Sequence, residues 1–148
     1  YEDMAQVMKK YVSAYIPEVE KYFQLIIFNY LFSNEDAHLK NFSLIRFDNG
    51  EVALSPAYDL VSTKLAIPED LEESALTING KKNRLKRADF DELASKLNIP
   101  VKSSERVYAK FAKKQPEMLE LIERSFLSDE MKELYVKLLV ERIERTAI

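Results

Sequence analysis

Phe28-Asn29-Tyr30-Leu31-Phe32-Ser33-Asn34-Glu35-Asp36-Ala37-His38-Leu39-Lys40-Asn41-Phe42-Ser43-Leu44-Ile45-Arg46-Phe47-Asp48-Asn49-Gly50 is the stretch in which the chain changes character twice. Up to Phe32 its side chains suit a helix. Residues 33–41 are polar and punctuating, and residues 42–47 suit an extended strand. Working outward toward the N-terminus, Pro17 opens a helix at its first turn, with Glu18 and Glu20 favourably placed against the helix dipole. That helix is apolar on nearly all sides beyond Tyr22, so it is expected in the core. An earlier helix is expected over residues 2–14, with Met4, Val7, Met8 and Tyr11 at helical spacing.

In the other direction, Asp48-Asn49-Gly50 reads as a tight turn and residues 51–54 as the hairpin partner of the first strand. Pro56 begins another loop. Residues 64–74, with Pro68 and an acidic run, read as an irregular surface segment, and residues 75–78 as a short strand closed by Asn79-Gly80. Helices then follow over residues 89–97, stopped by Asn98 and Pro100, over 103–114, and from Pro116 to Ser125. Ser128 caps a last helix, with Asp129 and Glu130 in its first turn and an apolar stripe of Leu134, Leu138, Val140 and Ile143. The expected fold is mainly α with a small β-hairpin at its centre, forming one domain over residues 1–148.

Composition narrows the class. A chain of 148 residues can bury a real core, and 47% hydrophobic with 32% charged residues is ordinary for a soluble globular protein. The apolar run from Leu25 is far too short to cross a bilayer, and a cytoplasmic protein with no membrane partner is the economical expectation. With no cysteine there is neither a disulfide nor a thiolate metal site, and one histidine leaves no His-based metal centre. A net charge of −3 gives no global basic field for nucleic acid. The opening Tyr1, already in a helical pattern, reads as part of a longer protein.

Chemistry concentrates in the loop. Asp36, His38 and Asn41 form an Asp-x-His-x-x-Asn pattern, and Asp59 follows beyond the hairpin in Pro56-Ala57-Tyr58-Asp59. Phosphoryl transfer from Mg-ATP needs such a set: one carboxylate to orient the acceptor hydroxyl, and an Asn and a further Asp to hold the metal bridging the phosphates. Asp36 and Asn41 are five positions apart, the separation found between the Asp and Asn of the protein-kinase catalytic loop. Asn41 and Asp59 are hard oxygen donors that suit Mg²⁺. Taken singly, these residues also read as turn residues. His38 reads equally as a packed residue shaping the loop, and Lys40 as a phosphate contact or a solvated side chain. The basic run Lys81, Lys82, Arg84, Lys86 and Arg87 reads as a solvated turn and helix start, a docking patch for an acidic partner, or a set of phosphate contacts with nucleic acid.

Together, Tyr1-Glu2-Asp3-Met4, the approach from Phe28 to Asn34, the segment from Asp36 to Ser43, Pro56-Ala57-Tyr58-Asp59 and Leu76-Thr77-Ile78-Asn79-Gly80-Lys81 resemble the C-terminal part of the HipA family, the serine/threonine kinase toxins of bacterial toxin–antitoxin modules. The resemblance is clear over residues 1–90 and general in the helical tail. It implies a protein-kinase-like C-terminal lobe in which Asp36 is the catalytic base and Asn41 and Asp59 carry Mg²⁺. It also places His38, Lys40 and Tyr58 near the phosphates of ATP. It implies a protein substrate with a Ser or Thr acceptor (aminoacyl-tRNA synthetases are among the family's targets) and an antitoxin partner, with DNA reached only through that antitoxin. One departure stands out. The chain holds only Gly50 and Gly80, in a hairpin and a turn, so the glycine-rich phosphate loop and ATP-anchoring Lys of the N-lobe have no counterpart. The isolated lobe is therefore expected to be inactive, and a non-catalytic lobe that docks an antitoxin or regulator is the alternative reading.

Overall fold

In the computed structural model, residues 1–67 and 72–148 are described; Pro68, Glu69, Asp70 and Leu71 of the expected irregular segment lie outside them. Helix α1 (Glu2–Tyr11) leads by a short link into α2 (Tyr15–Leu31), and the loop beyond α2 contains one 3-10 turn at Leu39–Asn41. The hairpin β1 (Leu44–Arg46) and β2 (Val52–Leu54) follows, then α3 (Thr63–Ala66), α4 (Arg87–Lys96), α5 (Val101–Glu123) and α6 (Asp129–Thr146). The architecture is mainly helical, as its sequence suggests.

Helix α2 is the centre of the core. Val19, Tyr22, Phe23, Ile26, Ile27, Tyr30 and Leu31 are all buried, a repeat of three and four that lines one face. Each such side chain contributes about 1.5–3 kcal/mol on leaving water. Leu25 and Phe28 on the other face are only half-buried, so the helix is not enclosed on all sides. It ends in a Schellman motif. Ser33 adopts φ +57° and donates its N–H to Tyr30 O, while Asn34 N–H reaches back to Asn29 O at 2.8 Å. This closure points the chain directly into the polar loop.

The hairpin pairs Leu44 with Leu54 and Arg46 with Val52 in antiparallel register. Its turn closes with Phe47 accepting from Gly50 N at 2.9 Å, and Gly50 sits at φ +85°, where a side chain would be strained. The outer edge of β2 is occupied by the α1–α2 link. Ser13 N donates to Val52 O at 2.8 Å, Val52 N to Ser13 Oγ at 2.9 Å, and Leu54 N to Glu18 Oε2 at 2.7 Å.

Four local expectations are corrected. Residues 75–78 form no strand; Ile78 and Lys81 make an isolated bridge around Asn79-Gly80, and no neighbouring strand among the described residues extends it. Thr63–Ala66, at the start of the irregular segment, is a helical turn. The helices expected on either side of Gln115 are one continuous α5 through Pro116. A proline removes one N–H, but Val107, Tyr108, Phe111, Met118 and Ile122 all reach the same core, which holds both halves on one axis. In α6 the buried face is Leu139, Arg142, Ile143 and Thr146, whereas Val140 is exposed. The register turns because Arg142, a charged residue, has buried partners.

Candidate functional site

The loop after α2 alternates inside and outside. Glu35 and Ala37 are buried, Asp36 and His38 are exposed, and the 3-10 turn then returns Asn41 to the interior. Backbone bonds hold the shape: His38 N donates to Asp36 O at 2.8 Å, and Asn41 N to His38 O at 2.9 Å. Phe42 anchors the far end, edge-on to Tyr22 at 5.1 Å and to Tyr1 at 6.0 Å between ring centroids. The loop is thus pinned to α2 at both of its ends.

Its walls come from further along the chain. Ser33 O accepts from Thr63 N at 3.0 Å and Thr63 Oγ1 at 3.2 Å, and Thr63 Oγ1 in turn accepts from Glu35 N at 2.9 Å. Asn34 Nδ2 donates to Asn29 Oδ1 at 3.2 Å and to Asp59 O at 3.1 Å. Glu35 Oε1 lies 2.6 Å from Arg142 Nη2, and Arg142 Nη1 donates to Tyr30 O. These bonds fix the loop against the segment leading into α3 and against α6.

Asp36, Asn41 and Asp59 converge. Asn41 Nδ2 donates to Asp59 Oδ2 at 2.8 Å and to Asp36 O at 3.2 Å. Both bonds use the amide nitrogen, so the carbonyl Oδ1 is the end that can meet a cation. Asp59 stands at φ +56°, a left-handed conformation that Asp and Asn tolerate better than other side chains. His38 Nε2 lies 2.9 Å from Asp36 Oδ1, which orients that carboxylate at the surface. Tyr58 donates its phenol O–H to Lys40 O at 2.9 Å, tying the Pro56–Asp59 turn to the loop. The Lys40 side chain itself extends into solvent.

Among the described residues there is no group of three or more His, Cys, Asp or Glu side chains able to hold a metal by themselves. The Asn41–Asp59 pair fits a different type of cation. Mg²⁺ takes one or two protein oxygens and completes its octahedron with phosphate oxygens and water. A neutral carbonyl oxygen beside a carboxylate suits it, because Asp59 keeps Oδ1 when Oδ2 accepts from Asn41.

A groove of about 660 Å³ runs between α2 and the hairpin, walled by Leu25, Phe28, Ile45, Phe47, Ala53 and Leu60. Asp36, Asn41 and Asp59 do not line it; Asp36 and Asp59 are exposed, and Asn41 is buried. The basic run is largely consumed within the fold. Lys81 Nζ lies 2.6 Å from Asp89, Lys82 Nζ 2.8 Å from Glu72, and Arg87 pairs with Asp91 and Glu105 while its guanidinium stacks 3.4 Å over the Tyr108 ring. Arg84 and Lys86 remain exposed.

Asn34, Glu35, Thr63 and Arg142 were not apparent as site residues from the sequence. Asn29 did carry a signal, being a polar residue set among apolar neighbours in a helix, whereas Arg142 lies in the charged run Glu141-Arg142-Ile143-Glu144-Arg145 and looks like a surface residue. The bonds of Asn34 to Asp59 and of Thr63 to Ser33 had none, since they span 25 and 30 positions.

Comparison with known proteins points one way. The model of the HipA-like C-terminal domain family matches residues 1–119. A Haemophilus influenzae protein named "Putative kinase" is 33% identical over 78 residues, covering 53% of this chain and 22% of that protein. Two Sinorhizobium fredii proteins, each also named a "Putative kinase", are 40% identical over 78 residues and 34% identical over 91 residues. These alignments cover 52% and 62% of this chain but only 18% and 21% of those proteins. The chain thus spans about a fifth of the length of these relatives. A solved structure of the Shewanella oneidensis toxin–antitoxin system, comprising HipA, HipB and operator DNA, superposes with a TM-score of 0.76 at 19% identity, covering 99% of this chain and 35% of the matched one. The fold is that of the kinase-like HipA C-terminal region. No helix among the described residues is long and apolar enough to cross a membrane.

Proposed function

Because the chain belongs to the family of HipA-like C-terminal domains, we propose that it is the catalytic C-lobe of an ATP- and Mg²⁺-dependent protein serine/threonine kinase of a bacterial toxin–antitoxin module. The observation that carries this reading is the junction of Asn41 with Asp59 at 2.8 Å, directly beside the exposed Asp36. Asp36 accepts and orients the hydroxyl of a Ser or Thr on a protein substrate, with aminoacyl-tRNA synthetases among the family's known targets. His38 holds the Asp36 carboxylate in the required direction. Asn41 Oδ1 and the Asp59 carboxylate are the residues that would hold Mg²⁺, which neutralises charge on the phosphates when bound. Tyr58 keeps the Asp59 segment against the Lys40 carbonyl, and the exposed Lys40 is the cation that would meet the phosphates.

On this reading the lobe needs a second one. Nothing in a chain with only Gly50 and Gly80 can wrap phosphates in a glycine-rich loop, so the ATP clamp belongs to an N-lobe elsewhere in the full-length protein. An antitoxin is the expected partner, DNA is contacted through it, and the compartment is the cytoplasm. The lack of a phosphate loop also favours a second reading, in which the lobe docks an antitoxin or regulator without catalysis.

Phosphotransfer from γ-labelled ATP by the full-length protein, including autophosphorylation, separates the two. Label incorporated by wild type and lost in Asp36→Asn, with unchanged circular dichroism, is the expected result. Transfer retained in Asp36→Asn would remove Asp36 from the chemistry. Mg²⁺–nucleotide binding that is indifferent to Asp59 would favour the docking lobe.

A further inference from the structure

Glu35 and Arg142 are 107 positions apart, yet their side chains form an ion pair at 2.6 Å with only 1% and 5% of their surfaces exposed. The same guanidinium donates its other arm to Tyr30 O, which is already an acceptor in the Schellman closure of α2. It also lies over the Tyr30 ring, 5.0 Å from the centroid. One buried cation therefore grips the last turn of α2 and the residue immediately before Asp36. Thr63 Oγ1 takes the Glu35 backbone N–H at 2.9 Å, so side chain and main chain of Glu35 are both held.

We propose that Arg142, acting through Glu35, is a positioning residue that sets the orientation of Asp36. The proposal rests on the reading of Asp36 as the hydroxyl-orienting carboxylate. Glu35 and Asp36 stand side by side in one turn, the first side chain buried and the second exposed. A Glu35 side chain locked inward fixes Asp36 outward, and a rotation at Glu35 swings Asp36 away from the acceptor. Helix α6 thereby acts on a site to which it contributes no reacting group. Removing one partner strands a buried charge, whereas replacing both by apolar residues of similar volume restores packing without restoring direction.

The test uses the full-length protein with Glu35→Gln, Arg142→Met and the paired Glu35→Leu/Arg142→Met variant, alongside Asp36→Asn. Hydrogen exchange of peptides spanning residues 33–41 is read against peptides from α5, and kcat is measured separately from KM for ATP. The single variants are expected to melt early. The paired variant is expected to melt near wild type, yet to exchange at least about tenfold faster in the loop. Its kcat should be down by about 100-fold, as for a misplacement of about 1 Å, with KM for ATP within about threefold. Wild-type loop exchange and recovered kcat in the paired variant would make the ion pair a packing element only and overturn the proposal. If wild-type transfer is indifferent to Asp36→Asn, the kinase reading falls by itself, and the loop exchange still decides whether Arg142 holds the loop.

Discussion

Replacing Asp59 by Asn, Gly and Ala separates the backbone role of this residue from its charge. Asp59 carries a left-handed φ of +56° and accepts from Asn41 at 2.8 Å. Alanine there incurs about 1–2 kcal/mol of steric strain and loses a hydrogen bond worth about 1 kcal/mol, since Asp59 is exposed and Asn41 keeps its bond to Asp36 O. The expected total of about 2–3 kcal/mol lowers the melting temperature by about 5–10 °C for a domain of this size. Glycine relieves the strain but not the lost bond, and stays within about 1–2 kcal/mol of wild type. Asparagine tolerates the left-handed backbone and can still accept from Asn41, so its cost is at most about 0.5 kcal/mol. Binding of Mg²⁺ tells a different story. With its single side-chain oxygen turned to Asn41, the substituted asparagine would present an N–H₂ group where Asp59 presents Oδ1. Loss of one negative charge near a solvent-screened cation is worth about 2 kcal/mol, or about thirtyfold in affinity. Thermal melts and calorimetric titration of Mg²⁺–ADP into the full-length protein give both readouts. Asp59→Asn that is as unstable as Asp59→Ala, or that binds Mg²⁺–ADP like wild type, would refute the reasoning.

Two further outcomes follow from other parts of the fold. Burial would raise the pKa of Asp89, but hydrogen bonds from Lys81, Lys86 N and Asn79 outweigh it and hold the carboxyl below its ordinary value of 3.8. A depressed folded-state pKa means stability that is present above pH 3.8 and lost as pH falls through the folded value. Asp89→Asn should therefore cost about 1–2 kcal/mol at pH 7, reduced by the solvent around Lys81, and its gap to wild type should close in melts below about pH 3.8; a gap independent of pH would contradict the assignment. Pro116→Ala restores an N–H inside α5 and should raise stability by about 1–3 kcal/mol in urea denaturation; a loss instead would mean that the proline ring supplies packing that alanine cannot.

Much of this molecule is written in local pattern. The α2 repeat, the turn at Asp48-Asn49-Gly50 and the Ser128 cap, whose hydroxyl accepts from Met131 N at 3.3 Å, are short-range features that neighbouring residues specify. The approach of Asp36, Asn41 and Asp59 could be expected from the kinase-like spacing, because a loop and a short hairpin leave the chain few ways to return. The supports of that cluster are another matter. Thr63 reaches Ser33, Asn34 reaches Asp59, and Arg142 reaches Glu35, and each contact depends on how whole helices pack. Pro116 misled for the same reason: local propensity breaks a helix there, and tertiary burial on both sides repairs it.

The way Ser13 and Glu18 occupy the outer edge of β2 has a consequence for growth of the sheet. Two-stranded ribbons have two borders, and each border is a template onto which foreign strands can add. Here one border is closed by Ser13 of the α1–α2 link and Glu18 in the first turn of α2, through three bonds that take the place of a neighbouring strand. Any strand that joins this hairpin, from the rest of the protein or from another molecule, must come to β1. The hairpin is a one-sided socket, and the direction in which the sheet can be extended is decided inside the lobe.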